Sequence, residues 1–139
     1  MSRFSPDTQV KVTFLLENKA VKSKKTSVCK RTSEPKFMES FAFRLTPAGL
    51  SAASVILKLT CLAPPYKDRC LGRVVLGSFM FARGLGQQHW TDALAAAPKQ
   101  INRWHRLPSN GSQSRLNAVT HHKRACRMRA EAALSCSAV

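Results

Sequence analysis

A chain of 139 residues has room for one domain and a short appendage. Its 23 Lys and Arg residues outnumber its 7 Asp and Glu residues, and the net charge of +16 indicates an anionic partner: phospholipid headgroups, nucleic acid or an acidic protein surface. No apolar run approaches the roughly 18 residues of a membrane-spanning helix. The five cysteines include no C-x2-C pair and so give little support for a zinc site, even though His121 and His122 lie near Cys126.

Alternating apolar residues predict a first β-strand that begins near Val10. One face of this strand carries Val10, Val12, Phe14 and Leu16. The sequence Asn18-Lys19-Ala20 predicts a hairpin turn. The returning segment from Val21 to Lys30 is rich in lysine, so the first hairpin is expected to have one strongly cationic strand.

Three further strands are predicted in the middle of the chain. After a break at Ser33-Glu34-Pro35, a third strand is indicated by the alternation of Phe37, Phe41, Phe43 and Leu45. A fourth strand is predicted from Val55 to Cys61, where apolar residues again alternate. A short fifth strand is predicted from the apolar run Leu71 to Leu76, which Gly72 and Gly77 close.

The last part of the pattern changes from strand to helix and back. Helical spacing of Trp90, Ala93, Leu94 and Ala97 predicts one short helix, which Pro98 ends. A sixth strand follows from Ile101 to Leu107. Six short strands and one late helix indicate an all-β, antiparallel sandwich.

The composition shifts after Leu107. Residues 1–107 are therefore expected to form the domain, and residues 108–139 a basic and mostly disordered tail. A marginal helix from Leu116 to Leu134 is the alternative for part of this tail.

Several motifs, in order, resemble the C2B domains of the synaptotagmin family. The tryptophans carry the strongest part of the match, as His89-Trp90 on the helix and Trp104-His105-Arg106-Leu107 on the last strand. The other matching segments are Asp7 to Val12, the basic stretch Lys22 to Thr26, Glu34 to Phe43, and Leu71 to Val74. The resemblance implies a C2-type β-sandwich that serves membranes and trafficking partners.

The match begins at the third strand of the family pattern. The resemblance therefore implies a partial sandwich that lacks the first two strands, with exposed apolar faces and open sheet edges. Homo- or hetero-oligomers through these edges are expected. An unstable, non-functional isoform is an alternative reading of the same feature.

The resemblance also implies that the calcium site of the family is degenerate. Asp7 matches one aspartate ligand, whereas Ala63, Pro65 and Arg69 stand at other ligand positions. Calcium requires clustered oxygen ligands. We therefore expect no calcium, no other metal and no cofactor, as in the divergent, calcium-independent members of the family.

The family match makes Lys22, Lys24 and Lys25 the expected contact with acidic phospholipids, phosphoinositides above all, extended by Lys30 and Arg31. A strand edge kept soluble by lysines is the simpler explanation of the same cluster. Of a basic pair that the family carries before its last strand, only Lys99 remains, next to Pro98, which puts docking to SNARE or other trafficking proteins through that surface in doubt.

Two other functions receive less support. An enzyme is not expected, because no nucleophile elbow such as G-x-S-x-G accompanies His89 and Asp92. Binding of nucleic acid would suit the charge, but the sequence has neither an RNP-like nor a zinc-finger pattern. Trp90 and Trp104 are expected in the core, and His89 and His105 as structural residues. The predicted location is cytoplasmic and peripheral to membranes.

Overall fold

The computed structural model describes residues 7–32, 35–65, 67–107 and 129–134. The strands are β1 (Asp7–Leu16), β2 (Lys19–Lys25), β3 (Ala53–Leu62), β4 (Arg69–Gly77), β5 (Ile101–Arg106) and β6 (Arg129–Leu134). A 3-10 helix (Pro47–Ala52) precedes β3, and the helix α1 (Leu85–Ala96) precedes β5. An antiparallel β-protein with one short helix late in the chain is confirmed.

Four strands form the larger sheet in the order β2-β1-β3-β4, with every neighbouring pair antiparallel. The alternation predicted for β1 is present, because Val12 and Phe14 are buried while Lys11 and Thr13 are only half-buried. The predicted hairpin turn lies at Glu17 and Asn18, which both adopt positive φ angles. This sheet therefore has one apolar face, and its other face is polar except toward the end of β1, where Leu15 is buried.

Strands β5 and β6 form a second, two-stranded sheet in which Ile101 pairs with Leu134 and Arg106 with Arg129. The sequence pattern had predicted disorder or a marginal helix for residues 129–134, and here the structure differs from that prediction. These residues alternate poorly, so their strand conformation depends on the long-range pairing with β5. Residues 108–128 and 135–139 of the predicted tail lie outside the described residues.

The predicted third strand is wrong: residues 35–46 belong to neither sheet. The alternating side chains nevertheless pack inward, and the ring of Phe43 stacks on that of Phe14 with a centroid distance of 5.1 Å. Alternation reports only that one side of a segment is covered. Strand hydrogen bonds also need a neighbouring strand whose backbone pairs with the segment, and none of the described strands pairs with residues 35–46.

The core lies between the apolar face of the larger sheet, the segment 35–46 and α1. Its most buried members include Phe14, Leu59, Leu76 and Trp90. Val10, Phe43 and Leu57 pack against these residues while remaining partly exposed. The apolar face is therefore only partly covered along its length.

A glycine contact places α1 against β4. A Cβ atom added to Gly86 would lie 2.0 Å from the carbonyl oxygen of Val75. Only glycine allows the first turn of α1 to approach the strand this closely. The helix therefore packs on β4, which is the edge strand opposite to β2 in the larger sheet.

Candidate functional site: a basic row across the sheet

Four cations stand side by side on the polar face of the larger sheet. The strand register pairs Lys25 with Lys11, Lys11 with Lys58, and Lys58 with Arg73. Each of the four strands thus contributes one cation, and we call this set the basic row. Directly opposed residues have Cβ atoms roughly 4.5–5.5 Å apart, and like charges in such positions destabilise a sheet. An anion that bridges the row would relieve this repulsion.

An open groove of about 180 Å³ lies beside the row and is lined by three of its four cations. Its lining consists of Gln9, Lys11, Lys25, Lys58, Thr60, Asp68 and Cys70. Asp68 is the one carboxylate in this lining, against three lysines. The groove therefore offers positive charge together with amide and hydroxyl groups, which is the chemistry that recognises phosphate oxygens.

The predicted lysine cluster is divided between the two faces of the sheet. Lys25 belongs to the basic row, whereas Lys22 pairs with Phe14 and Lys24 with Val12, on the apolar face. The Nζ atom of Lys24 lies 5.3 Å from the ring centroid of Phe43 and donates to the carbonyl oxygen of Ala42 at 3.3 Å. Lys24 therefore supports the segment 35–46. The three lysines were expected to form one surface, but the observed register places Lys22 and Lys24 on one face of the sheet and Lys25 on the other.

The other predicted contact residues lie apart from the row. Lys30 and Arg31 are exposed beside the start of β1, where the Arg31 amide donates to Asp7 Oδ1 at 2.9 Å. Lys99 is exposed after α1, which packs on β4 and not on β2. The structure does not join Lys99 to the lysines of β2.

The four degenerate calcium positions meet at one end of the larger sheet. Asp7 pairs with Leu62, the neighbour of Ala63, and Arg69 begins β4 after the loop that contains Pro65. Among these four positions Asp7 alone carries a carboxylate, and its Oδ1 already accepts from the Arg31 amide, so the four residues do not form the cluster of oxygen ligands that calcium needs. Across the described ranges, no group of three or more His, Cys, Asp or Glu side chains is placed to hold a metal ion.

His89 and His105 form a buried pair, as structural residues do. His89 is 0% and His105 3% exposed. Burial lowers the pKa of His105 below its ordinary value, and His89 and Arg103 lower it further. The Asp92 carboxylate binds the Arg103 guanidinium and ties α1 to β5. Asp92 and His89 thus have structural partners.

The tryptophans differ from each other. Trp90 is 8% exposed and belongs to the core, as predicted, whereas Trp104 is 57% exposed and the prediction for it is wrong. Successive residues of a strand point to opposite faces, so burial of His105 turns its neighbour Trp104 outward.

Sequence reasoning missed Lys11, Lys58 and Arg73 as members of one site. Each was recognisable as an outward residue of its strand, because each stands between apolar neighbours. Their alignment depends on the register of three strand pairs, and a shift of one residue would move a cation to the other face.

Comparison with known proteins points to one domain family. Residues 2–93 match the model of the C2 domain family. Synaptotagmin-8 of Mus musculus is 33% identical over 113 residues, which cover 81% of this chain and 28% of that protein. Synaptotagmin-5 of Homo sapiens is 35% identical over 101 residues, covering 73% and 26%. The chain thus spans about a quarter of the length of these relatives.

A solved structure shows the same fold. The structure of CC2D1B superimposes with a TM-score of 0.57 at 19% sequence identity and covers 80% of this chain and 43% of that chain. Within the part of the chain that the structure describes, no helix is both long and apolar enough to cross a membrane.

Proposed function

Because the chain belongs to the C2 domain family, as a synaptotagmin-like C2 domain, we propose that it is a calcium-independent binding module for acidic phospholipids. Its contact surface is the basic row, and its preferred ligands are phosphoinositides. The observation that carries the proposal is the alignment of Lys25, Lys11, Lys58 and Arg73 on one face of one sheet.

The spacing of the row suits a headgroup with more than one phosphate. A single phosphate touches one or two cations, while a bisphosphate spans neighbouring positions in a line. Each lysine or arginine near an anionic surface contributes about 1 kcal/mol, so the four residues supply up to ~4 kcal/mol, a weak and salt-sensitive attraction. Membrane binding at this strength is reversible, as a peripheral protein of the cytoplasmic leaflet requires.

Independence from calcium is supported by the chemistry at the end of the sheet. The Asp7 carboxylate accepts a hydrogen bond from the Arg31 amide. The other degenerate calcium positions hold Ala63, Pro65 and Arg69. Headgroup binding by lysine and arginine needs no bridging cation, so this mode of binding does not depend on the degenerate loops.

We place the module in membrane traffic and exocytosis, in line with its synaptotagmin-like relatives. Binding rather than catalysis is supported by the burial and mutual contact of His89 and His105. Trafficking proteins, SNARE proteins among them, are proposed as further partners that present acidic surfaces to the same row.

The test is co-sedimentation with vesicles of phosphatidylcholine, with or without phosphatidylinositol bisphosphate. We compare the variant Lys11→Ala/Lys25→Ala/Lys58→Ala with the control Lys22→Ala/Lys30→Ala/Lys99→Ala, which removes the same charge from exposed positions off the row. The row variant should lose about tenfold or more in affinity, since it loses three contacts, and the control far less.

Two outcomes would contradict the proposal. Equal losses in both variants would mean that net charge alone carries binding. Displacement of the protein from vesicles by RNA at lower concentrations than soluble inositol phosphates would favour nucleic acid as the ligand of the row.

A further inference from the structure

The connection between β4 and α1, residues 78–84, exposes two large apolar side chains at its tip. Phe79 is 72% and Met80 68% exposed. Leu85, which begins α1, is 53% exposed beside them. We call residues 78–84 the β4–α1 turn.

The turn is anchored at both sides of this tip. The backbone amides of Phe81 and Ala82 both donate to the carbonyl oxygen of Ser78 at 2.9 Å. The Ser78 hydroxyl donates to the carbonyl oxygen of Ser51 at 3.4 Å. Ala82 is 5% exposed. Phe79 and Met80 are therefore held outward by a closed backbone turn, and their exposure is a property of the fold.

The turn rises from the same face of the sheet as the basic row. Gly77 follows Arg73 and Val75 at alternate positions of β4, so the three share one face. A Cβ atom added to Gly77 would lie 3.4 Å from the Cβ of Phe81, which places the turn over that face. Arg73 and Gly77 are four residues apart, about 13 Å along the strand.

The charge of the turn suits an acidic bilayer. Its one charged residue is Arg83, which is exposed, and residues 78–84 contain no carboxylate. Aromatic and aliphatic side chains flanked by cations settle at the boundary between headgroups and acyl chains, about 5–10 Å deep. A groove in a partner protein could accept the same side chains, but the shared face with the basic row favours the membrane.

We propose that the β4–α1 turn is a membrane-insertion tip, with Phe79 and Met80 entering an acidic bilayer whose headgroups contact the basic row. This inference rests on the proposed function. It adds an apolar contribution that salt does not screen, and it gives the module a fixed orientation, with the larger sheet facing the membrane.

The experiment compares three serine substitutions in vesicle binding. Phe79→Ser and Met80→Ser remove one tip side chain each, and Met38→Ser is the control, because Met38 is 90% exposed in the segment that covers the opposite face. With phosphatidylcholine vesicles that contain phosphatidylserine and phosphatidylinositol bisphosphate, each tip variant should raise the Kd by about fivefold to tenfold, as loss of a buried apolar side chain predicts. Met38→Ser should leave it unchanged.

A second measurement reports the depth directly. Phe79→Trp and Met38→Trp add one tryptophan each, and lipids with brominated acyl chains quench only fluorophores that enter the bilayer. The added emission should be quenched for Phe79→Trp and not for Met38→Trp, with unchanged melting temperatures as evidence that both variants are folded.

The outcomes separate the two proposals. Wild-type protein that fails to bind acidic vesicles would overturn the basic row and the tip together. Wild-type binding that is unaffected by Phe79→Ser and Met80→Ser, with equal quenching at positions 79 and 38, would overturn the tip alone. Tip variants that bind vesicles normally but lose a protein partner would also overturn it, and would assign the tip to a protein groove.

Discussion

The Nδ1 atom of His89 lies 2.8 Å from the Nε2 atom of His105, while the other ring nitrogen of His89 lies 2.8 Å from the carbonyl oxygen of Ile101. A carbonyl oxygen accepts only, so His89 carries its proton on Nε2 and its Nδ1 accepts from His105. The two rings stack with centroids 5.0 Å apart. This arrangement joins α1 to β5 through the two imidazole rings.

Acid should therefore destabilise the protein. Burial, with His89 and Arg103 as further causes, lowers the pKa of folded His105 below its ordinary 6.5. As the pH falls below 6.5, the unfolded chain takes up a proton that the folded chain does not, so the free energy of unfolding decreases. It should be highest above pH 6.5, and the His105 contribution to its slope is at most about 1.4 kcal/mol per pH unit. Urea denaturation between pH 7.5 and 5 measures it.

His105→Gln tests the assignment, because the glutamine amide can donate to His89 Nδ1 without titrating. Its unfolding free energy should depend less on pH than that of the wild type. Gln88→Ala, at an exposed position of α1, is the control and should leave the pH dependence as it is, because it removes no titratable group. An unchanged slope in His105→Gln would remove His105 as its source.

Calcium should change neither the melting temperature nor vesicle binding. The carboxylate of Asp7 accepts from the Arg31 amide, and no cluster of oxygen ligands surrounds it among the described residues. Thermal denaturation and co-sedimentation with about 1 mM calcium, the weak end of protein calcium sites, should equal those with chelator. A shift that the chelator reverses would contradict the assignment.

Gly86→Ala should destabilise the protein by about 1–3 kcal/mol, because its Cβ would overlap the carbonyl oxygen of Val75 and force α1 away from β4. Gln88→Ala, at an exposed position of the same helix, is the control and should be neutral within about 0.5 kcal/mol. Urea denaturation gives both values. Equal stabilities of the two variants would show that α1 shifts without cost.

Removal of residues 108–139 should expose the edge of β5 that β6 pairs with. An unpaired edge favours self-association, so the truncated protein should form oligomers and bind more hydrophobic dye than a control that lacks only residues 135–139. Light scattering and dye fluorescence report these changes. A truncated protein that stays monomeric with unchanged melting would show that β6 contributes nothing to stability.

Local pattern was sufficient for some parts of the fold and not for others. Strands β1 and β3 could be predicted because their apolar residues alternate, and α1 because Trp90 and Ala93 recur at helical spacing. Residues 35–46 show the limit, since the same alternation occurs there without a partner strand. The pairing of β6 with β5 joins distant segments and leaves no local signal.

The candidate site shows the same limit. The lysines of β2 were recognisable as a cluster, and Lys24 and Lys25, as neighbours in a strand, must point to opposite faces. Only the register with β1 shows that Lys25 is the one that stands beside Lys11. Lys11, Lys58 and Arg73 are separated by long stretches of chain and come together only in the sheet. The exposure of Trp104 was in principle readable, because Trp104 and His105 are adjacent in a strand and cannot both point inward.

Because every cation of the basic row comes from a different strand, the row exists only while the four strands keep their register. An unfolded chain has the same net charge of +16 but presents no such line of cations. If the row binds a multivalent anion as we propose, the anion would bind the native sheet in preference to the unfolded chain and would add about 2.7 kcal/mol to its stability at a hundredfold excess over the Kd. The bound ligand would then offset the repulsion between the cations. The folded protein would therefore be most stable where acidic lipid is most abundant.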